Sequence, residues 1–522
     1  MSVTGTSNAL VLGPFVAPLA GAAVCLLLAR YNRAQRVVAL GAGLVAWVCS
    51  VAVLLANLAP ARPGVQVYHL GGWLPPFGIV FVADLLAALF CVMATTVVLA
   101  GLLQCLTSHE QSLRYPVFMP AFLCMSAGLA GSFYTGDIFT LFVFIELMVM
   151  ASVVMVAVAD NPLGLEAAIK YLFISGMGSL LLLLGIAAIY TTFGTLNMAE
   201  ISAEYLTGAR PLLTVPASIM INSAFLIKSA VFPFHFWQPD FHTTAPTAVS
   251  GMLSSVVVKV GIYGIIRNNT GYMTQEVEVI QAILIVLGIV GIFYGSLSAL
   301  RTWNVKRLLA YSTLAQIGFV LVALGWGSQL ALVAAVIYIV NHAAIKSGLL
   351  MLTGTLASHN ERHSADLADL QGAGRGRPVL SVLFLVGGLA LAGVPPFNGF
   401  ISKVALVRGG ADVGSWVTLG LVVGGGLLTL LYMARTWQWI FQRPAPEPAV
   451  APSAHADSPL APALLITACV ALGVFAAPLV STAEATIRQA TDPTAYICAV
   501  LPDPSAVGQA GVECPQTLAR GQ

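Results

Sequence analysis

The chain has 522 residues, of which 58% are hydrophobic and only 8% charged. A water-soluble domain carries about 25% charge, so this composition excludes a soluble globular protein and describes one that crosses a bilayer many times. The net charge of +2 gives no reason to expect a nucleic-acid partner, and the eight cysteines are scattered without metal-ligand spacing.

A helix needs about 20 apolar residues to span the hydrocarbon core. Fourteen candidate spans follow one another near 9–29, 37–58, 79–106, 116–134, 138–159, 165–192, 212–233, 246–267, 278–300, 308–325, 329–356, 379–401, 412–440 and 460–481. The first follows an uncharged N-terminus without the basic n-region of a signal peptide, and is expected to be retained. Cys25, Cys49, Cys91, Cys105 and Cys124 lie in or beside spans, as small core residues do. A Pro/Ala-rich stretch, 443–462, reads as a flexible loop before the last span. Cys498 and Cys514 share the C-terminal tail, where a disulfide is open to them if that side is oxidising. No Gly-rich nucleotide loop or haem-ligand spacing is present, and neither cofactor nor metal is expected.

Loop charge predicts the topology. Thirteen ordinary basic residues, among them Arg30, Arg36, Arg301, Arg307 and Arg377, fall on one alternating set of loops. Six, among them Arg62, Arg210, Arg267 and Arg520, fall on the other set and the tail. The positive-inside bias then puts the first set in the cytoplasm and both termini outside.

Two spans carry prolines that interrupt them. Pro233 follows Lys228 in KSAVFPFHFWQPDF, and Pro395 and Pro396 precede Lys403 in GVPPFNGFISK. Proline removes a backbone donor and clashes with the preceding turn. Broken helices five spans apart predict an all-α polytopic membrane protein of about 14 transmembrane helices, with two inverted five-helix repeats and discontinuous helices 7 and 12. The expected divisions are 1–106 (helices 1–3), 107–267 (helices 4–8), 268–440 (helices 9–13), and 441–522 (loop, helix 14 and external tail). The alternative is that the prolines are ordinary membrane-helix kinks.

Five ionisable residues stand inside apolar spans: Glu146, Lys228, Lys259, Lys346 and Lys403. Each costs roughly 2.5–3.5 kcal/mol on insertion scales, which makes an intramembrane charge a functional candidate. If Glu146 approaches Lys228, each stabilises the other's charged form, and moving one shifts the proton affinity of the other. His342 and Lys346, at i and i+4, share a helix face. Asp137 lies nine residues before Glu146, about 13.5 Å along a helix, and suits a cap; Asp84, near the start of span three, is similar. His235 and His242, in PFHFWQPDFHTTAPTAVS, are expected in a loop at the cytoplasmic mouth, gathering protons or capping helices. For any single lysine the competing reading is a structural ion pair or a side chain snorkelling to the surface.

The segments GDIFTLFVFIELMVMAS, FLIKSAVFPFHFWQPDFHTTAPTAVSGMLSSVVVKVGIYGIIR, RTWNVKRLLAYSTLAQIGFV, NHAAIKSGLLMLTG and LAGVPPFNGFISK run in order from about residue 80 to 440. They resemble the proton-translocating membrane subunits shared by respiratory complex I and Mrp-type multisubunit cation/proton antiporters. Lys403 stands where the fourth-type complex I subunit usually has glutamate. The fifth-type complex I subunit and the A-type Mrp subunit extend well beyond helix 14, whereas only about 40 residues follow it here. The tail DPTAYICAVL and the motif GDIFTLFVFIEL look like those of D-type Mrp subunits.

The resemblance implies a Na+/H+ antiporter subunit in a bacterial cell membrane, assembled with other antiporter subunits. It implies that Glu146, Lys228, Lys259, His342, Lys346 and Lys403 form the proton path, with Asp137, His235 and His242 in support. Protons would arrive near His342 and Lys346 and pass Lys259 and Lys228, with Glu146 and Lys403 facing partners at the ends. The sodium path would lie elsewhere in the complex. The alternative is a pump subunit of complex I or of a membrane hydrogenase.

Overall fold

The computed structural model describes residues 8–59, 64–158, 161–208, 211–273, 277–444, 453, 456–501 and 514. The architecture is α-helical. In chain order the helices are α1 (Gly13–Leu27), α2 (Asn32–Leu58), α3 (Leu85–Thr107), α4 (Phe118–Tyr134), α5 (Ile138–Ala157), α6 (Pro162–Phe193) and α7 (Met198–Leu206). Next come α8 (Thr214–Lys228), α9 (Trp237–Thr244), α10 (Thr247–Tyr272), α11 (Val277–Arg301), α12 (Val305–Trp326) and α13 (Gln329–Ala357). The last are α14 (Pro378–Ala392), α15 (Asn398–Asp412), α16 (Trp416–Gln442), α17 (Leu460–Val474), α18 (Ala477–Thr491) and α19 (Thr494–Val500).

Among the described residues ten helical segments are long and apolar enough to cross a membrane alone, or up to eleven if the bent pair α17–α18 counts as one. Three shorter apolar helices, α4, α8 and α14, stand beside them. Each of the fourteen expected ranges overlaps one of these segments. The central helices α10, α12 and α13 are almost wholly buried, while α2, α6, α11 and α16 present much of their surface outward. Charge on the central helices is thus enclosed by protein before it is enclosed by lipid.

Both proline-marked spans are broken. Between α8 and α9 the chain turns through residues 229–236, and between α14 and α15 through residues 393–397. Gly393 ends α14 at φ +81, a left-handed conformation that suits glycine.

Three features depart from the sequence expectation. Span three begins at Leu85, not 79, because residues 80–83 pair with 66–69 as a short antiparallel ribbon and the Asp84 carboxylate then caps the helix at the Ala87 N–H (2.9 Å). The last span bends by 80° between α17 and α18, where Pro478 in the first turn of α18 cannot continue a preceding helix. Arg267, expected among loop charges, is buried and holds Asp84 through two nitrogens at 2.5 and 2.7 Å. The tail cysteines Cys498 and Cys514 are joined in a disulfide.

Candidate functional site

The first cluster sits where α5, α6 and α8 meet. Lys228 is the last residue of α8, with its side chain buried. Its Nζ donates to Glu146 Oε1 (3.0 Å), Ser175 Oγ (2.8 Å) and Ser179 Oγ (2.6 Å). The Ser179 hydroxyl in turn donates to Glu146 Oε1. Ser175 and Ser179, one turn apart on α6, thus line the pair. Glu146 keeps 23% of its side chain exposed, so the pair is open at the carboxylate end. The position of Lys228 in the last turn also suits a cation, because the helix C-terminus carries partial negative charge.

The second cluster lies in the enclosed centre. Within α10, residues Leu253–Val257 wind as a π-helix just before Lys259. The Lys259 ammonium folds back on this stretch and donates to the Ser254 carbonyl, five residues earlier, at 2.6 Å. A widened turn leaves carbonyls off the regular ladder, which is one reason such turns occur at functional sites. The Ser254 hydroxyl meets Thr313 Oγ1 at 2.5 Å on α12. On the same helix, one residue earlier, the Ser312 hydroxyl accepts from Lys346, which also donates to the Leu309 carbonyl (2.8 Å). Lys346 is fully buried. His342 lies one turn before Lys346 on the same helix, and both are buried.

The polar line continues toward the second break. A void of about 10 Å³, close to the size of one water, is lined by Gln316, Tyr338, His342 and Ser402. Among the described residues His342 Nε2 has no protein partner. Tyr338 donates to Gln316 (2.5 Å), and Asn341 donates to Ser402 Oγ (2.9 Å) and the Asn398 carbonyl (3.1 Å). Lys403, half-buried on α15, donates to the carbonyl of Ala392, the last residue of α14, and lies 5.7 Å from the centre of the Phe319 ring.

The remaining candidates separate. Asp137 caps α5, accepting from the Thr140 N–H at 2.7 Å; burial raises its carboxyl from the ordinary range. His235 lies on the non-helical turn expected of it, whereas His242 lies on a helix, and both are buried. His235 is buried in the break, its ring 4.7 Å from that of Tyr294. His242 lies fully buried on α9 and shares a hydrogen bond of 2.8 Å with Ser250. The polar, proline-rich stretch reads as a loop, but Trp237 stacks on Tyr171 at 4.4 Å and turns this short helix inward.

Sequence reasoning missed Ser175, Ser179, Ser312 and Thr313. The i, i+4 spacing of Ser175 and Ser179 is a signal of a shared face, but small hydroxyl residues are common in membrane helices.

Charged and hydroxyl side chains strung through the closed centre of a helical bundle define an integral membrane protein built to keep ionisable groups at depth. Residues 135–429 match the family described as NADH:quinone oxidoreductase/Mrp antiporter, TM, and the chain belongs to that family. It is 31% identical over 501 residues to the D-type subunit of the Na(+)/H(+) antiporter of Alkalihalophilus pseudofirmus, covering 95% of this chain and 99% of the other. It is 33% identical over 408 residues to the N-type subunit of the NADH-quinone oxidoreductase of Desulforudis audaxviator, covering 76% and 78%. Among solved structures, a chain of the Mrp complex from Dietzia sp. DQ12-45-1b superposes with a TM-score of 0.86 over 94% of this chain and 99% of that one, at 24% identity, a likeness of fold. A chain of the archaeal membrane-bound sulfane sulfur reductase is 27% identical, with a TM-score of 0.85 over 95% and 100%.

Proposed function

We propose that this chain is the proton-conducting subunit of a multisubunit Na+/H+ antiporter in a bacterial cell membrane. The observation that carries the reading is the Lys228–Glu146 pair, 3.0 Å apart between apolar helices and hydrogen-bonded by two serines. Full-length similarity to proteins named as D-type subunits of Na(+)/H(+) antiporters supports the choice of transporter. The chain acts as a transporter subunit and not as an enzyme.

The proton path runs past Lys259 and Lys346, bordered by the hydroxyls of Ser254, Thr313 and Ser312, and His342 leads on past the water-sized void at Gln316 and Ser402 to Lys403. Glu146–Lys228 at one end and Lys403 at the other face neighbouring subunits; the partial exposure of Glu146 fits a partner surface there. The chain crosses the membrane fourteen times, counting α8–α9 and α14–α15 as broken crossings. Residues 107–267 and 268–440 form inverted repeats, and both termini lie outside. Sodium crosses through another subunit.

The test is exchange in everted vesicles carrying the assembled complex. Glu146→Gln and Lys228→Ala should each abolish Na+-driven proton movement while assembly persists. Full exchange with normal assembly overturns the reading. A second reading, a proton-pumping subunit of a redox complex, is favoured by the 33% identity to the quinone oxidoreductase subunit. Co-purification of iron–sulfur subunits would select it; co-purification of small hydrophobic antiporter subunits would select the first.

A further inference from the structure

A groove of about 230 Å³ opens between α14 and α16, away from the polar line. Its walls are apolar: Leu385, Leu389, Leu430, Met433 and Ala434, with Gly388 as the floor. Leu385 and Leu430 are exposed, so the groove opens outward. Trp437 closes one end and ties the two helices together, donating its indole N–H to the Ser381 carbonyl at 3.3 Å.

Charge gathers beyond that end. Arg377 immediately precedes α14 and Arg443 immediately follows α16. The Arg443 guanidinium lies 3.6 Å from the Trp439 ring centre, and the Arg435 guanidinium 4.6 Å from that of Trp303. Trp303 and Trp439 meet edge-on at 5.0 Å. Two carboxylates of the adjoining loop are engaged elsewhere, Asp369 by Arg362 (2.7 Å) and Asp366 by Asn304 (2.8 Å).

We propose that this groove binds an anionic phospholipid, with one acyl chain between α14 and α16 and its phosphate at Arg377 and Arg443. Tryptophans with basic residues mark the membrane–water interface. Basic pockets between transmembrane helices hold anionic headgroups, and a guanidinium matches a phosphate through two hydrogen bonds. Arg377 donates to the Ala373 carbonyl and Arg443 lies on Trp439, so among the described residues neither is paired with a carboxylate, and an anionic lipid supplies the counter-charge that an apolar partner helix would not.

The test uses the assembled complex and a phosphatidylglycerol carrying a photoactivatable acyl chain, with the matching phosphatidylcholine as control. The anionic lipid should crosslink to residues of α14 and α16 and be displaced by unlabelled phosphatidylglycerol. Arg377→Ala and Arg443→Ala should each weaken that labelling about fivefold, as loss of one basic residue near a charged interface does. Ala434→Phe, which fills the groove without changing charge, should abolish labelling by either lipid. Equal labelling by phosphatidylcholine, indifference to all three variants, or displacement by glycerol phosphate alone overturns the proposal. So does a partner helix seated in the groove in a structure of the complex.

Discussion

Lys228 Nζ stands 3.0 Å from Glu146 Oε1, and Ser179 binds both partners. The pair is therefore a single hydrogen-bonded unit. Removing one partner leaves the other charge poorly compensated, which costs roughly 1–3 kcal/mol where one member of the pair is only partly buried. Glu146→Gln and Lys228→Met should each lower the thermal midpoint of the purified complex. The double variant should recover much of that loss, because two neutral groups replace two charges. Exchange activity should stay absent in all three. Thermal unfolding run beside vesicle transport checks this, and recovery of transport in the double variant would show the pair to be structural.

The expense of membrane-embedded charge made Glu146, Lys228, Lys259, Lys346 and Lys403 legible from sequence alone. So did the two breaks, because proline acts locally on its own helix. What sequence could not supply was distance. Glu146 and Lys228 are separated by 82 positions, and Asp84 and Arg267 by 183. Arg267 looked like a loop charge because its partner lies on another helix. Apolar periodicity does not report the π-helical turn before Lys259. His242 was misplaced because helix α9 is polar and proline-rich, and only its packing turns it inward.

The Asp84–Arg267 pair makes a different prediction. Both side chains are buried, and the Tyr263 hydroxyl accepts from the same guanidinium at 3.1 Å. Breaking such a pair from one side costs roughly 3–5 kcal/mol. Arg267→Ala and Asp84→Asn should therefore destabilise the chain more than either Glu146→Gln or Lys228→Met does. Raising the salt should leave the penalty unchanged, since buried pairs are screened little. Thermal melts at low and high ionic strength check both points, and a salt-dependent loss would mean that the pair is hydrated.

Lys403 joins the two halves of its broken span, reaching from α15 to the terminal carbonyl of α14. A cation at a helix C-terminus contributes typically 0.3–1 kcal/mol, and a carboxylate there is unfavourable by a similar amount. Lys403→Glu should lower the melting temperature and impair exchange, while Lys403→Arg should keep most of the stability. Activity of Lys403→Arg then separates a requirement for positive charge from one for a group that releases a proton, because arginine stays charged. Melting and exchange assays on the two variants check this; equal stability of both would remove the capping role.

At Gly261, α10 comes close to the backbone of α8. A Cβ there would meet the Phe225 carbonyl and the Ser229 hydroxyl. The serine could rotate, but Phe225 O belongs to the last turn of α8 and cannot yield without moving the helix that carries Lys228. Overpacking of this kind costs typically 1–3 kcal/mol. Gly261→Ala should thus separate the Lys228 cluster from the Lys259 cluster without replacing any ionisable residue. The expected result is an assembled complex with a modestly lower melting temperature and a much larger fall in exchange rate. Gly176→Ala, at a position with no neighbour within 4 Å of the added methyl, is the matched control and should change neither. If Gly261→Ala transported normally at the reduced stability, proton transfer would not depend on the spacing of these two helices.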